Sequence, residues 1–111
     1  MTVTAATATG VPTVTEKAFL AQVLRLARLA GWLCFHPYDS RKSCAGFPDL
    51  TLVRESLIFA ELKSDTGKVT AEQQHWLDRL KAAGAEAHLW RPRDWEEIQA
   101  RLLGGRRAGG A

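Results

Sequence analysis

With 111 residues the chain has room for one hydrophobic core and not for two, and its 46% hydrophobic and 24% charged content is that of a soluble globular domain. No apolar run approaches the roughly 20 residues that a membrane-spanning helix needs, and two cysteines without paired CxxC spacing exclude a disulfide framework or a zinc ribbon. The formal charge of +3 is a mild basic excess that suits a polyanionic partner without demanding one.

The leading stretch MTVTAATATGVPT has neither a basic n-region nor a continuous apolar h-region, so residues 1–12 read as a flexible lead-in rather than a secretory signal. Reduced thiols and a cytoplasmic location are the expectation. Thr13 to Glu16 fits a capping box, after which Phe19, Leu20, Val23, Leu24 and Ala27 recur at helical spacing until Gly31. WLCFHPY, from Trp32, has the aromatic and apolar content of a strand with Pro37 near its end, and residues 38–46, YDSRKSCAG, form a polar, basic loop.

DLTLV and LIFAELK are two strand-like runs joined by Arg54, Glu55 and Ser56, the length of a hairpin connection. Thr70 with Gln73 fits a second capping box and opens a helix through Trp76, Leu77 and Leu80 that closes at Gly84. AEAHLW reads as another strand. Asp94 is expected to cap a last helix whose apolar positions are Trp95, Ile98, Leu102 and Leu103, with residues 104–111 as a flexible tail. The predicted order is α-β-β-β-α-β-α over residues 13–103. The helix between the third and fourth strands allows a parallel crossover, which makes the sheet mixed and of the α/β class.

The hairpin carries charges where a core strand would not. With Val53 facing Leu57 across the three-residue connection, Asp49 falls opposite Glu61. Period-two alternation then places Asp49, Thr51, Val53, Leu57, Phe59, Glu61 and Lys63 on one face, and Leu50, Leu52, Ile58, Ala60 and Leu62 on the other, purely apolar face. Opposed like charges destabilise a sheet, and a divalent cation held by two carboxylates, waters and a substrate phosphate would relieve them. Lys63 could then hold an attacking water or stabilise charge on a phosphate. The same three residues also fit a surface ion cluster in which Lys63 neutralises the two acids. Gly46 and Pro48 restrain the chain just before Asp49, as a plain turn would too.

GFPD, then ELK, then TAEQQHW with Gly84 downstream, in this order of elements, resembles the VRR-NUC domain of the PD-(D/E)xK nuclease superfamily, especially its stand-alone phage and prophage members. The resemblance runs from about Glu16 to Trp90. It implies a restriction-endonuclease-like core with a central sheet of about four strands. Asp49 and Glu61 would be the metal-binding acids, Lys63 the catalytic lysine, Gln73 an auxiliary polar residue and Glu16 an acid from the first helix. Gln73 and Glu16 also fit as the closing residues of the two capping boxes.

Arg41 and Lys42, before the GFPD turn, and Arg91 and Arg93, after the last strand, are placed to meet a phosphate backbone; a solvated loop accounts for them equally. His36, His75 and His88 lack zinc spacing, and the four tryptophans fit core positions. The resemblance implies a Mg²⁺- or Mn²⁺-dependent endonuclease acting on branched DNA such as four-way (Holliday) junctions in replication and repair. Paired cuts across a two-fold junction lead to the expectation of a homodimer. A DNA-binding module that does not cut, or a nuclease subunit that needs a larger partner, would carry much of the same sequence.

Overall fold

A computed structural model describes residues 14–37 and 44–104. Thr13, Tyr38, Asp39, Arg41, Lys42 and the two terminal segments lie outside the described residues. The elements are α1 (Glu16–Leu29), β1 (Leu33–Phe35), β2 (Leu50–Val53), β3 (Leu57–Leu62), α2 (Ala71–Ala82), β4 (Glu86–Trp90) and α3 (Trp95–Leu103), with a 3₁₀ turn over Pro92–Asp94. The predicted order is the observed one.

The four strands form one sheet in the order β1-β2-β3-β4, antiparallel from β1 to β3 and parallel between β3 and β4. The three-residue connection sets the hairpin register as expected, with Val53 opposite Leu57 and Leu50 opposite Ala60. Leu50, Leu52, Ile58, Ala60 and Leu62 are all buried, and α1 closes over them with Phe19, Val23, Leu24 and Ala27. Ile98 and Leu102 of α3 complete that core. On the opposite face α2 packs against β4 and buries Leu77.

Four local expectations change. The cap of α1 is Thr15, not Thr13: Thr15 has extended dihedrals and its Oγ1 accepts from the Ala18 N–H at 3.0 Å. β1 spans three residues rather than the full WLCFHPY run. Pro37 has no N–H for a ladder, and Trp32 spends its backbone N–H on Ala27 O at 2.9 Å. Asp94 does not cap α3 with its side chain; its Oδ2 accepts from the Arg91 N–H and closes the 3₁₀ turn instead. Leu103 lies 58% exposed, on the solvent side of α3.

At the hairpin tip, Arg54 Nη1 donates to Ala30 O at 2.8 Å and to Leu102 O at 3.2 Å, so one guanidinium serves the C-terminal carbonyls of both α1 and α3. The Trp32 indole donates to the same Leu102 carbonyl at 2.9 Å and lies under Arg54, with Arg101 also over its ring. Arg101 in turn holds the buried Glu86 carboxylate through two hydrogen bonds of 2.7 and 2.9 Å, and His88 adds a contact at 2.8 Å. Burial alone would raise the Glu86 pKa; the bonds from Arg101 and His88 outweigh it and bring the net value below the ordinary 4.5.

A carboxyl depressed in this way contributes stability above its unfolded pKa of about 4.5 and loses it as pH falls through the lower folded value. Arg101→Ala should therefore cost about 2–4 kcal/mol at pH 7 by leaving a buried carboxylate poorly compensated. Urea denaturation at pH 7 and pH 3 should show the loss shrinking at the acidic end.

Candidate active site

The turn before β2 is fixed from two sides. Gly46 has φ +87°, and a Cβ there would sit 2.5 Å from the carbonyl carbon of Glu72 and 2.6 Å from its oxygen, so the turn lies directly on the first residues of α2. From the same helix the Trp76 indole donates to Ala45 O at 3.1 Å, and its ring meets Phe47 edge-on at 5.1 Å. Phe47 meets Phe59 of β3 edge-on at 6.1 Å, and Pro48 is fully buried. Trp76 is thus a half-buried brace of the turn rather than a deep core residue.

Asp49 emerges from this turn at the head of β2. Its Oδ2 accepts the Leu62 N–H at 2.9 Å, the position a ladder carbonyl would otherwise take, and this bond aims the carboxylate along the sheet face. Glu61 shares that face and is only 1% exposed, with Oε1 buried and no hydrogen-bond partner for it. Burial, then the charge of Asp49 and a hydrogen bond between the two carboxyls, push the Glu61 pKa up to about 8, against the opposing pull of Lys63. Lys63, half-buried, is anchored by its N–H to Trp90 O at 3.1 Å.

Beside them opens a cleft of about 540 Å³ whose lining includes Glu16, His36, Cys44, Asp49, Glu72 and Gln73. Glu16, the first residue of α1, is coupled to the same charges: burial raises its pKa, Lys63 opposes the rise and Asp49 adds to it. Gln73 does both things that its sequence position allows. Its Oε1 accepts from the Thr70 N–H at 2.9 Å and its own N–H bonds Thr70 Oγ1 at 3.1 Å, completing the capping box, while the residue lines the cleft. Gln74 is turned away and donates to Asp78 at 2.9 Å.

The five residues expected at a site are thus brought to one place. Of the four basic residues expected to meet a phosphate backbone, Arg91 and Arg93 are among the described residues. Arg91 Nη1 donates to Ser64 O and Gly67 O, both at 2.7 Å, and Arg93 bonds Asp65 through its N–H and guanidinium, so both staple the loop after Lys63. His36, Cys44 and Glu72 line the cleft without having been singled out as site residues; only their closeness to the GFPD turn and the α2 cap could have marked them.

Among the described residues no group of three or more His, Cys, Asp or Glu side chains converges to hold an ion alone. Two carboxylates on adjacent strands, one with an orphaned buried oxygen, nevertheless fit a hard cation that takes its remaining ligands from water and substrate.

The sequence profile of the VRR-NUC domain matches residues 8–94. The chain belongs to the VRR-NUC family. A solved structure described as a "VRR_NUC domain protein" is similar over 82% of this chain and 92% of that one, with a TM-score of 0.65 and 17% identity, a likeness of fold. No curated protein matches the chain. As a VRR-NUC domain it is a nuclease domain of the PD-(D/E)xK type, a hydrolase type that acts on DNA and generally uses divalent metals. Among the described residues no helix is long and apolar enough to cross a membrane.

Two outcomes follow from this geometry. An unfolded glutamate ionises near 4.5, whereas folded Glu61 keeps its proton until about 8, so without cation the VRR-NUC domain should lose stability as pH rises across that window. Glu61→Gln should remove the loss and stabilise the cation-free protein at pH 8 by about 1–3 kcal/mol, with little gain at pH 4, as read by thermal melts in EDTA. Gly46→Ala should separate the turn from α2, costing roughly 1–3 kcal/mol and lowering catalytic rate further than Tm loss explains, measured well below the melting temperature.

Proposed function

We propose that this VRR-NUC domain is a Mg²⁺- or Mn²⁺-dependent, structure-specific endodeoxyribonuclease that cuts branched DNA such as four-way junctions and works as a homodimer. The observation that carries the reading is the Glu61 carboxylate, buried without a partner for Oε1, beside Asp49 and two residues from Lys63. A fold that needed only stability would have an amide or an apolar residue there.

In this reading Asp49 and Glu61 hold the cation, which would stabilise charge on the scissile phosphate and make bound water a better nucleophile. Asp49 is oriented for this by the Leu62 N–H, so its carboxylate needs no reorganisation when substrate arrives. Glu61 is poised as a group whose ionisation depends on a positive neighbour, because burial and Asp49 both oppose its charge. Lys63, on the same face, donates to a non-bridging phosphate oxygen and orients the attacking water. The Gln73 amide nitrogen, which the capping box does not use, and the Glu16 carboxylate reach the same cleft and would position that water from the helix side.

The experiment is cleavage of an end-labelled four-way junction and its matching linear duplex by the full chain. Paired nicks at the junction should appear with Mg²⁺ or Mn²⁺ and vanish in EDTA. Lys63→Ala should lower the rate about 10²–10³-fold with the fold intact, and Glu61→Gln should give a more stable but inactive protein. Absence of product under every cation, from folded protein bound to DNA, would overturn the reading.

A further inference from the structure

A lysine carries its ammonium on a flexible four-carbon stem, so the charge is well placed only where something holds the stem. Lys63 meets such a wall. The chain turns back directly after it through Ser64, Asp65, Thr66 and Gly67, and the Gly67 N–H closes the turn on Ser64 O at 3.2 Å. A side-chain carbon at Gly67 would lie 3.5 Å from Lys63 Cδ and 3.1 Å from Ser64 Oγ, so the turn faces the middle of the lysine stem at close range. At the far end of that stem the positive charge opposes the upward pKa shifts of both Glu61 and Glu16, which puts the ammonium among the acids.

The turn belongs to no strand or helix and is held from the end of β4. Arg91 Nη1 donates to Ser64 O and to Gly67 O, both at 2.7 Å, so a single nitrogen bridges the first and last carbonyls of the turn. Arg91 is fixed in its turn: its N–H bonds Asp94 Oδ2 at 2.9 Å, and the residue before it, Trp90, accepts the Lys63 N–H at 3.1 Å. Arg93 adds longer bonds to Asp65, at 3.1 and 3.2 Å.

We propose that Arg91 is a positioning residue for cleavage: by bridging the two ends of the 64–67 turn it holds the wall against which the Lys63 stem lies, and so keeps the ammonium in place before substrate arrives. The catalytic part of this assignment rests on the nuclease reading; the contact between turn and stem rests on geometry alone. The other use for an arginine beside the site is a bond to a DNA phosphate. Against it, Arg91 is half-buried and its Nη1 is already engaged by two carbonyls of its own chain. The two uses separate kinetically, because a positioning residue acts on the chemical step, whereas a phosphate contact acts on binding and on its salt dependence.

Kinetics of the full chain on the end-labelled four-way junction and linear duplex with Mg²⁺ test it, in a cycle of Arg91→Ala, Lys63→Ala and the double variant. Arg91→Ala should lower kcat roughly 10- to 100-fold and leave KM and its salt dependence within about twofold. Arg91→Lys, whose ammonium can donate to the same two carbonyls, should recover most of the loss. In the Lys63→Ala background the Arg91 substitution should lower the rate by no more than about twofold, because the amine it positions is gone. Gly67→Val, which presses on the Lys63 stem with Arg91 intact, should repeat the kcat loss and decides the matter if Arg91→Ala does not fold. NMR relaxation of protein carrying ¹³C-labelled lysine gives a reading free of activity, with Lys63 assigned by its loss in Lys63→Ala: its Cε should be ordered in wild type and mobile in Arg91→Ala. A raised KM with a flattened salt dependence, full additivity with Lys63→Ala, or a Lys63 equally ordered in both proteins would overturn the assignment. A wild type that cuts neither DNA under any cation, yet loses Lys63 order in Arg91→Ala, would overturn the nuclease reading and leave the hold of Arg91 on Lys63 standing.

Discussion

Two carboxylates held side by side on neighbouring strands, one of them out of water, set the terms for everything around them. With both ionised and no cation between them, the pair is unfavourable twice over, through mutual repulsion and through the desolvation of Glu61. A flexible arrangement would relax by turning one side chain outward. Here neither can: Asp49 is tied to the Leu62 N–H, and Glu61 lies in the strand whose alternate residues Ile58, Ala60 and Leu62 are buried in the apolar core. The tension is stored because the sheet beneath it does not yield.

That rigidity comes from the division of labour between the two faces. One face of β2 and β3 is wholly aliphatic and closed by α1 and α3, so a register slip would expose all five of its residues at once. The other face is left free to carry chemistry. Its acids are framed by two helices approaching from different directions, α1 bringing Glu16 and α2 bringing Gln73. The contact of Gly46 with Glu72, and of Trp76 with Ala45, locks the second of these helices to the turn that delivers Asp49.

Much of this was legible in the sequence, for a specific reason. A three-residue connection between two runs of strict alternation leaves one register that buries five apolar residues, and that register alone puts Asp49 next to Glu61. The motif and the order of elements then identified the family. What was not legible depended on competition between similar local options or on contacts far apart in the chain. Thr13 and Thr15 are equally good caps by type, and backbone geometry decides for Thr15. Asp94 is a plausible cap for α3, but the nearer N–H of Arg91 claims its carboxylate. Arg91 and Arg93 look like free cations in a list of residues, whereas Ser64, Asp65 and Gly67 supply them with acceptors only once β3 and β4 lie side by side. The burial of Glu61 to 1% was likewise invisible, since alternation placed it on the face that sequence reading left to solvent and ions.

The bonding at the hairpin tip bears on the order in which the chain can be finished. Arg54 and Trp32 both take Leu102 O as acceptor, yet that carbonyl lies 48 residues beyond Arg54 and 70 beyond Trp32. During synthesis the first helix, the hairpin and their shared apolar face can assemble while α3 is still inside the ribosome. The tip itself cannot be completed then, and Trp32 waits with an unsatisfied indole N–H. Emergence of α3 is therefore the event that fastens the two ends of the domain together, so this VRR-NUC domain stays open at the end remote from its acids until α3 has been made and released.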